Sequence, residues 1–154
     1  MPTLPDLIFL TQFAATLFMT GLIWFVQIVH YPLFATVHIH TSSDAFRAYE
    51  DRHASRTSFV VFPSMAVELL TALAALFPNL RPAFLLQTAA ISSAVLVLAI
   101  WASTGLVQVP LHHRLASNPT AAAIRSLVVS NWLRTTLWTA RAILLANALF
   151  RAIH

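Results

Sequence analysis

The stretch "NWLRTTLWTAR", residues 131–141, decides the fold. It sits in a strongly apolar third of the chain, yet it carries Asn131, Arg134 and Arg141 among its tryptophans. A lipid-facing helix would not keep two guanidinium groups, because charged side chains in hydrocarbon are costly and face a bundle interior. At about 100° per residue, Asn131, Arg134, Trp138 and Arg141 fall on one stripe roughly 80° wide. The rest of the chain must supply partners for that stripe.

Composition sets the environment. The chain has 154 residues, enough for one domain covering 1–154, with 58% hydrophobic and 9% charged residues. A soluble domain carries about 25% charged residues, so this one could not cover its surface in water. An all-α integral membrane protein follows. All nine basic residues are arginine and no run of them marks a nucleic-acid partner. There is no cysteine, which excludes disulfides, thiolate ligands and a thiol nucleophile. No G-x-S-x-G elbow is present either. The start, "MPTLPD", lacks a basic region and reads as the entry into a mature first helix rather than a signal peptide.

A crossing needs about 20 apolar residues, and four stretches qualify: 7–33, 58–78, 83–109 and 122–150. Pro32, Pro78, Pro82 and Pro110 mark their ends, and Pro63 is placed to kink the second. The expected architecture is a four-transmembrane-helix bundle, without visible internal repeat. Residues 34–57 and 110–121 form two polar connections on one side. The first should hold a short interfacial helix capped by Ser43 or Asp44, with Phe46, Tyr49 and His53 on one face. The second offers Asn118 and Pro119 as a cap and first turn for the last helix. These connections and the start of the fourth span hold Arg47, Arg52, Arg56, Arg114 and Arg125, against Arg81 and Arg151 opposite. The positive-inside rule then puts them in the cytoplasm, with both termini outside. The expected location is a bacterial inner membrane.

Each span contributes polar groups. Glu68 lies about 15 Å into the second span and Arg141 about 15 Å below Asn131, so a Glu68–Arg141 pair is expected near the midplane. Gln27 and His30 line the first span, Trp101, Gln108 and His112 the third. Six of seven histidines map to the arginine-rich side. His30, His53 and His112 are candidate ligands for iron, copper or zinc, with a b-type haem between His30 and His112 as the lesser option. No H-E-x-x-H or Glu-x-x-His motif specifies a metal. His30, His112, Glu68 and Arg141 are the candidate catalytic groups. Gln27, Trp101, Gln108, Asn131, Arg134 and Trp138 are the candidate substrate-binding groups.

A span ending in "PLHHRLA", a polar connection and then "NWLRTTLWTAR" resembles the anthrone oxygenase-like family of small four-helix membrane proteins. The resemblance covers the second half of the chain. In the first half it rests on the hydropathy profile. His112 and His113 stand where that family usually has asparagine. The resemblance implies a four-helix fold and, for some members, oxygenation of polycyclic aromatic substrates. Two readings result. One is a membrane-embedded oxidoreductase or oxygenase taking a lipophilic small molecule from the bilayer. The other is a non-catalytic ligand binder or assembly partner whose polar stripes serve helix packing. Neither fixes whether the chain forms a homo-oligomer.

Overall fold

The computed structural model describes residues 1–153. It consists of four long helices: α1 (Leu4–His40), α2 (Ser43–Ala74), α3 (Gln87–Ser117) and α4 (Ala121–Ile153). They form a ring in which each helix packs on its sequence neighbours and α4 closes on α1. Three of them, α1, α2 and α3, are long and apolar enough to cross a membrane. The surface is inside-out relative to a soluble bundle. Phe18, Phe25, Phe62, Leu70, Val95, Leu98, Leu133 and Ile143 are exposed. Gln12, Thr16, Glu68, Ser93 and Arg141 are buried.

The helices run past the expected boundaries. Thirty-two residues of α2 span about 48 Å, well beyond a hydrocarbon core of about 30 Å. The separate interfacial helix expected between the first two spans is instead the first four turns of α2. The Phe46, Tyr49 and His53 face is real, and it packs inward: Phe46 is buried against Phe34, and Tyr49 stacks near His53. Phe34, Phe46, Leu115, Ile124 and Leu127 form a small core of their own at this end. That core explains why the polar connections stay helical.

Pro32 and Pro110 do not end their helices. A proline ring collides with the carbonyl four residues back. Here each proline follows one widened turn, Val26–His30 and Thr104–Gln108. In these turns Tyr31 N–H bonds to Val26 O, and Val109 N–H to Thr104 O, five residues back. The extra residue moves the clashing carbonyl aside and lets the helix continue. His112 therefore stays on the inner side of α3.

The caps also shift. Ser42 caps α2, its hydroxyl accepting from Ala45 N–H at 3.2 Å. Asn118 ends α3, donating its N–H to Arg114 O at 2.8 Å. Thr120 caps α4, accepting from Ala123 N–H at 3.2 Å. Thr120→Ala should therefore cost about 1 kcal/mol, whereas Asn118→Ala should cost less; chemical unfolding in mixed micelles reads both.

A repeat hidden in the sequence emerges from these landmarks. The widened turns begin at 26 and 104, the prolines stand at 32 and 110, and α2 and α4 begin at 43 and 121; each difference is 78. On that register "HASRTS" (53–58) lies over "NWLRTT" (131–136), and Arg47 and Arg56 over Arg125 and Arg134. The bundle is thus two related helical hairpins, α1–α2 and α3–α4. The chemistry is not repeated with them. His53 corresponds to Asn131, Phe34 to His112, Glu50 to Val128 and Pro63 to Arg141.

Candidate functional site

Two polar systems lie inside the bundle. The deeper one is the expected pair. Arg141 and Glu68 are fully buried and joined in a salt bridge. Arg141 also donates to Thr16 Oγ1 at 2.7 Å and to Ser93 Oγ at 3.1 Å. Trp138 Nε1 donates to the second Glu68 oxygen at 2.9 Å, and Gln12 ties to Ser93 at 3.0 Å. All four helices contribute. Gln12, Thr16, Glu68, Ser93, Trp138 and Arg141 are all buried, and none of them lines the cavity between α2 and α3. Both charges of the pair are answered by fixed partners.

The shallower system borders a cavity of about 260 Å³ between α2 and α3. Met19, Leu22, Ile23, Val26 and Val61 form its apolar wall. Tyr31, His53, Gln108, His112 and Arg134 form its polar end, and Asp51 and His113 stand at its rim. The widened turns of α1 and α3 lie beside it, so the same distortion that admits each proline also turns Tyr31 and His112 inward.

At the polar end, three groups form a relay. Glu50 is fully buried and its Oε1 takes a short hydrogen bond from His112 Nδ1. A carboxylate can only accept, so Nδ1 is the donor to Glu50, and in the neutral ring Nε2 is then the acceptor. Tyr31 O–H then donates to His112 Nε2 at 3.0 Å. The Arg134 guanidinium acts on the same hydroxyl. Arg134 is held by Asn131 Oδ1 at 3.2 Å and lies 5.1 Å above the Trp138 ring. Asn131 in turn donates to Gln27 Oε1 at 2.9 Å, and Gln27 to Val128 O at 3.2 Å. Gln27, Asn131 and Trp138 therefore hold Arg134 without lining the cavity. Gln108 lines it, bound to Ser130 at 2.9 Å, with its Oε1 buried and unpartnered. Trp101 does not line it; its ring packs on Phe62 at 5.8 Å.

The three candidate histidines do meet. His30 Nε2 and His53 Nδ1 face each other at 2.9 Å, and Thr57 Oγ1 lies 3.2 Å from His53 Nδ1. Both nitrogens of His112 are taken by Glu50 and Tyr31. Among the described residues no group of three or more His, Asp or Glu is arranged to hold a metal ion. An iron, copper or zinc centre on His30, His53 and His112 would have to displace these hydrogen bonds. A haem between His30 and His112 does not fit. The His53 ring occupies that space, with centroids 4.5 Å from His30 and 5.5 Å from His112. His53 Nε2 and Glu50 Oε2 remain buried without partners.

Tyr31 and Glu50 carry this site and are absent from the sequence expectations. Glu50 could have been found: it follows Phe46 by one turn, on the face that holds Tyr49 and His53. Tyr31 follows His30 directly, and no spacing rule singles it out. The chain matches no protein-family model, no curated protein and no solved structure.

Proposed function

We propose that the protein is a membrane-embedded enzyme of the oxygenase or oxidoreductase type that first removes a proton from a lipophilic substrate. The observation that carries the reading is the Glu50–His112–Tyr31 relay, which ends on an apolar-walled cavity beside Arg134. A substrate with a C–H bond next to a carbonyl fits this arrangement. Tyr31 oxygen accepts the carbon-bound proton while passing its own to His112 Nε2. The C–H electron pair moves into the new carbon–carbon double bond, and the carbonyl oxygen takes the negative charge. Arg134 stabilises that oxyanion, and Glu50 stabilises the imidazolium. An enolate of this kind is electron-rich and reacts with dioxygen, which is consistent with the resemblance to anthrone oxygenase-like proteins.

The membrane setting extends to α4 on the same reading. Its arginines disqualify it by composition, but Arg134 and Arg141 are buried while Val129, Leu133, Ile143 and Phe150 face outward. Four spans, with the histidine-rich end in the cytoplasm of a bacterial cell, follow from this and from the arginine distribution. The test uses protein in lipid nanodiscs in deuterated buffer, with anthrone and 2-tetralone as CH-acidic probes. Mass spectrometry should detect protein-dependent deuterium uptake that Tyr31→Phe removes. Uptake no faster than with empty nanodiscs would overturn the proposal.

A further inference from the structure

The hairpin repeat creates two equivalent clefts, one between α2 and α3 and one between α4 and α1. Only the first leads to the cavity described above, and the two differ in what stands at the mouth. At the α4/α1 cleft, Trp24 and Trp132 meet edge to face with centroids 5.7 Å apart. Trp24 Nε1 also donates across to Thr139 Oγ1 at 3.0 Å, so the pair straps the two helices together. On the 78-residue register, Trp132 corresponds to Ala54 and Trp24 to Ala102. Thr139 corresponds to Val61. Ala54 and Val61 line the cavity between α2 and α3; the indole on this side, Trp101, packs on Phe62 about two turns deeper than Ala54 and outside the cavity lining, so none stands at the level of Ala54.

We infer that the α2/α3 cleft is a lateral gate through which a lipophilic substrate reaches the cavity from the bilayer, and that Ala54 sets its width. This rests on the proposed function for the identity of the site, and it adds the route and the residue that controls it. The class of molecule follows from the wall. Met19, Leu22, Ile23 and Val61 offer only apolar contact, while the hydrogen-bonding groups gather at one end. A volume near 260 Å³ is at the small end of ligand sites and suits a fused-ring molecule with one polar edge. The gate lies at the level where α2 passes from the Arg52 and Arg56 region into its apolar run, so a molecule at the headgroup boundary meets it edge-on.

The test is binding of 1-aminoanthracene, a fluorescent fused-ring probe, to the protein in nanodiscs, corrected for empty nanodiscs. Wild type should bind it. Ala54→Trp should weaken binding about tenfold or more through steric exclusion, and Ala54→Leu by an intermediate factor, with unfolding midpoints unchanged. Ala54→Leu also keeps the test decisive if the tryptophan variant fails to fold. Wild-type affinity in Ala54→Leu, and in Ala54→Trp where it folds, would overturn the gate. Probe binding that depends on Ala54, without deuterium uptake by any substrate, would leave the gate standing and remove the proposed chemistry instead.

Discussion

Glu68→Leu should destabilise the protein by about 3–5 kcal/mol, because it leaves the Arg141 charge buried with no counter-ion. The hydroxyls of Thr16 and Ser93 remain beside the guanidinium, and Trp138 Nε1 loses its acceptor. Neither hydroxyl carries a charge, so neither replaces the carboxylate. Glu68→Leu combined with Arg141→Met should recover most of the loss, since two apolar groups of similar volume need no partner. The double-mutant cycle, measured by denaturant titration in mixed micelles, should therefore show strong coupling between the positions. If the single variant costs under about 1 kcal/mol, the pair does not hold the bundle in the way described. The double variant should also keep its deuterium uptake, because the pair lies apart from the cavity. Loss of uptake in a stable double variant would return Glu68 and Arg141 to the chemistry.

Tyr31→Phe should reduce deuterium uptake about 10²–10⁴-fold, the usual worth of a positioned general acid–base group. The phenyl ring preserves the packing against Phe34 and His30 and removes only the oxygen. His112→Asn should fall in the same range, since it removes the proton acceptor for Tyr31. Glu50→Gln should reduce uptake in the same direction, because an amide cannot offset the charge of a protonated His112. His30→Ala should have a far smaller effect: its ring contacts His53 and lies outside the cavity lining. The ordering of Tyr31 and His112 over His30 separates this account from a metal centre built on all three histidines. Equal losses at His30 and His112, in folded protein, would favour the metal centre.

The sequence carried the scaffold well and the site only in part. Buried arginines in an apolar helix demand an acid, and Glu68 is the only acidic residue in the apolar stretches, so the pair could be read by depth alone. The stripe from Asn131 to Arg141 could be read by helical phase, because a straight helix keeps that phase. Other features depend on departures from regular geometry. The widened turns at Val26–His30 and Thr104–Gln108 have no composition signal, so the prolines that follow them read as helix ends. Histidine counting located the end of the bundle at which His30, His53 and His112 meet. It could not reveal that His30 and His53 would bond to each other, nor that His112 would be claimed by Glu50 and Tyr31. Those pairings depend on the long extension of α2, which composition presents as a loop. The repeat is not legible in the sequence because only backbone landmarks preserve it strictly, while most side chains have diverged.

Nitrogen-15 NMR of the histidine side chains is the sharpest test of whether Glu50, His112 and Tyr31 form one proton relay ending at the cavity, with the His112 signals assigned by their loss in His112→Asn. The account predicts a neutral His112 with its proton on Nδ1, an Nδ1–H proton shifted far downfield by Glu50, and an Nε2 that accepts from Tyr31. Tyr31→Phe should move the Nε2 signal and leave the Nδ1–H in place. A His112 that carries its proton on Nε2, or that exchanges freely with solvent as an isolated imidazole, would contradict it.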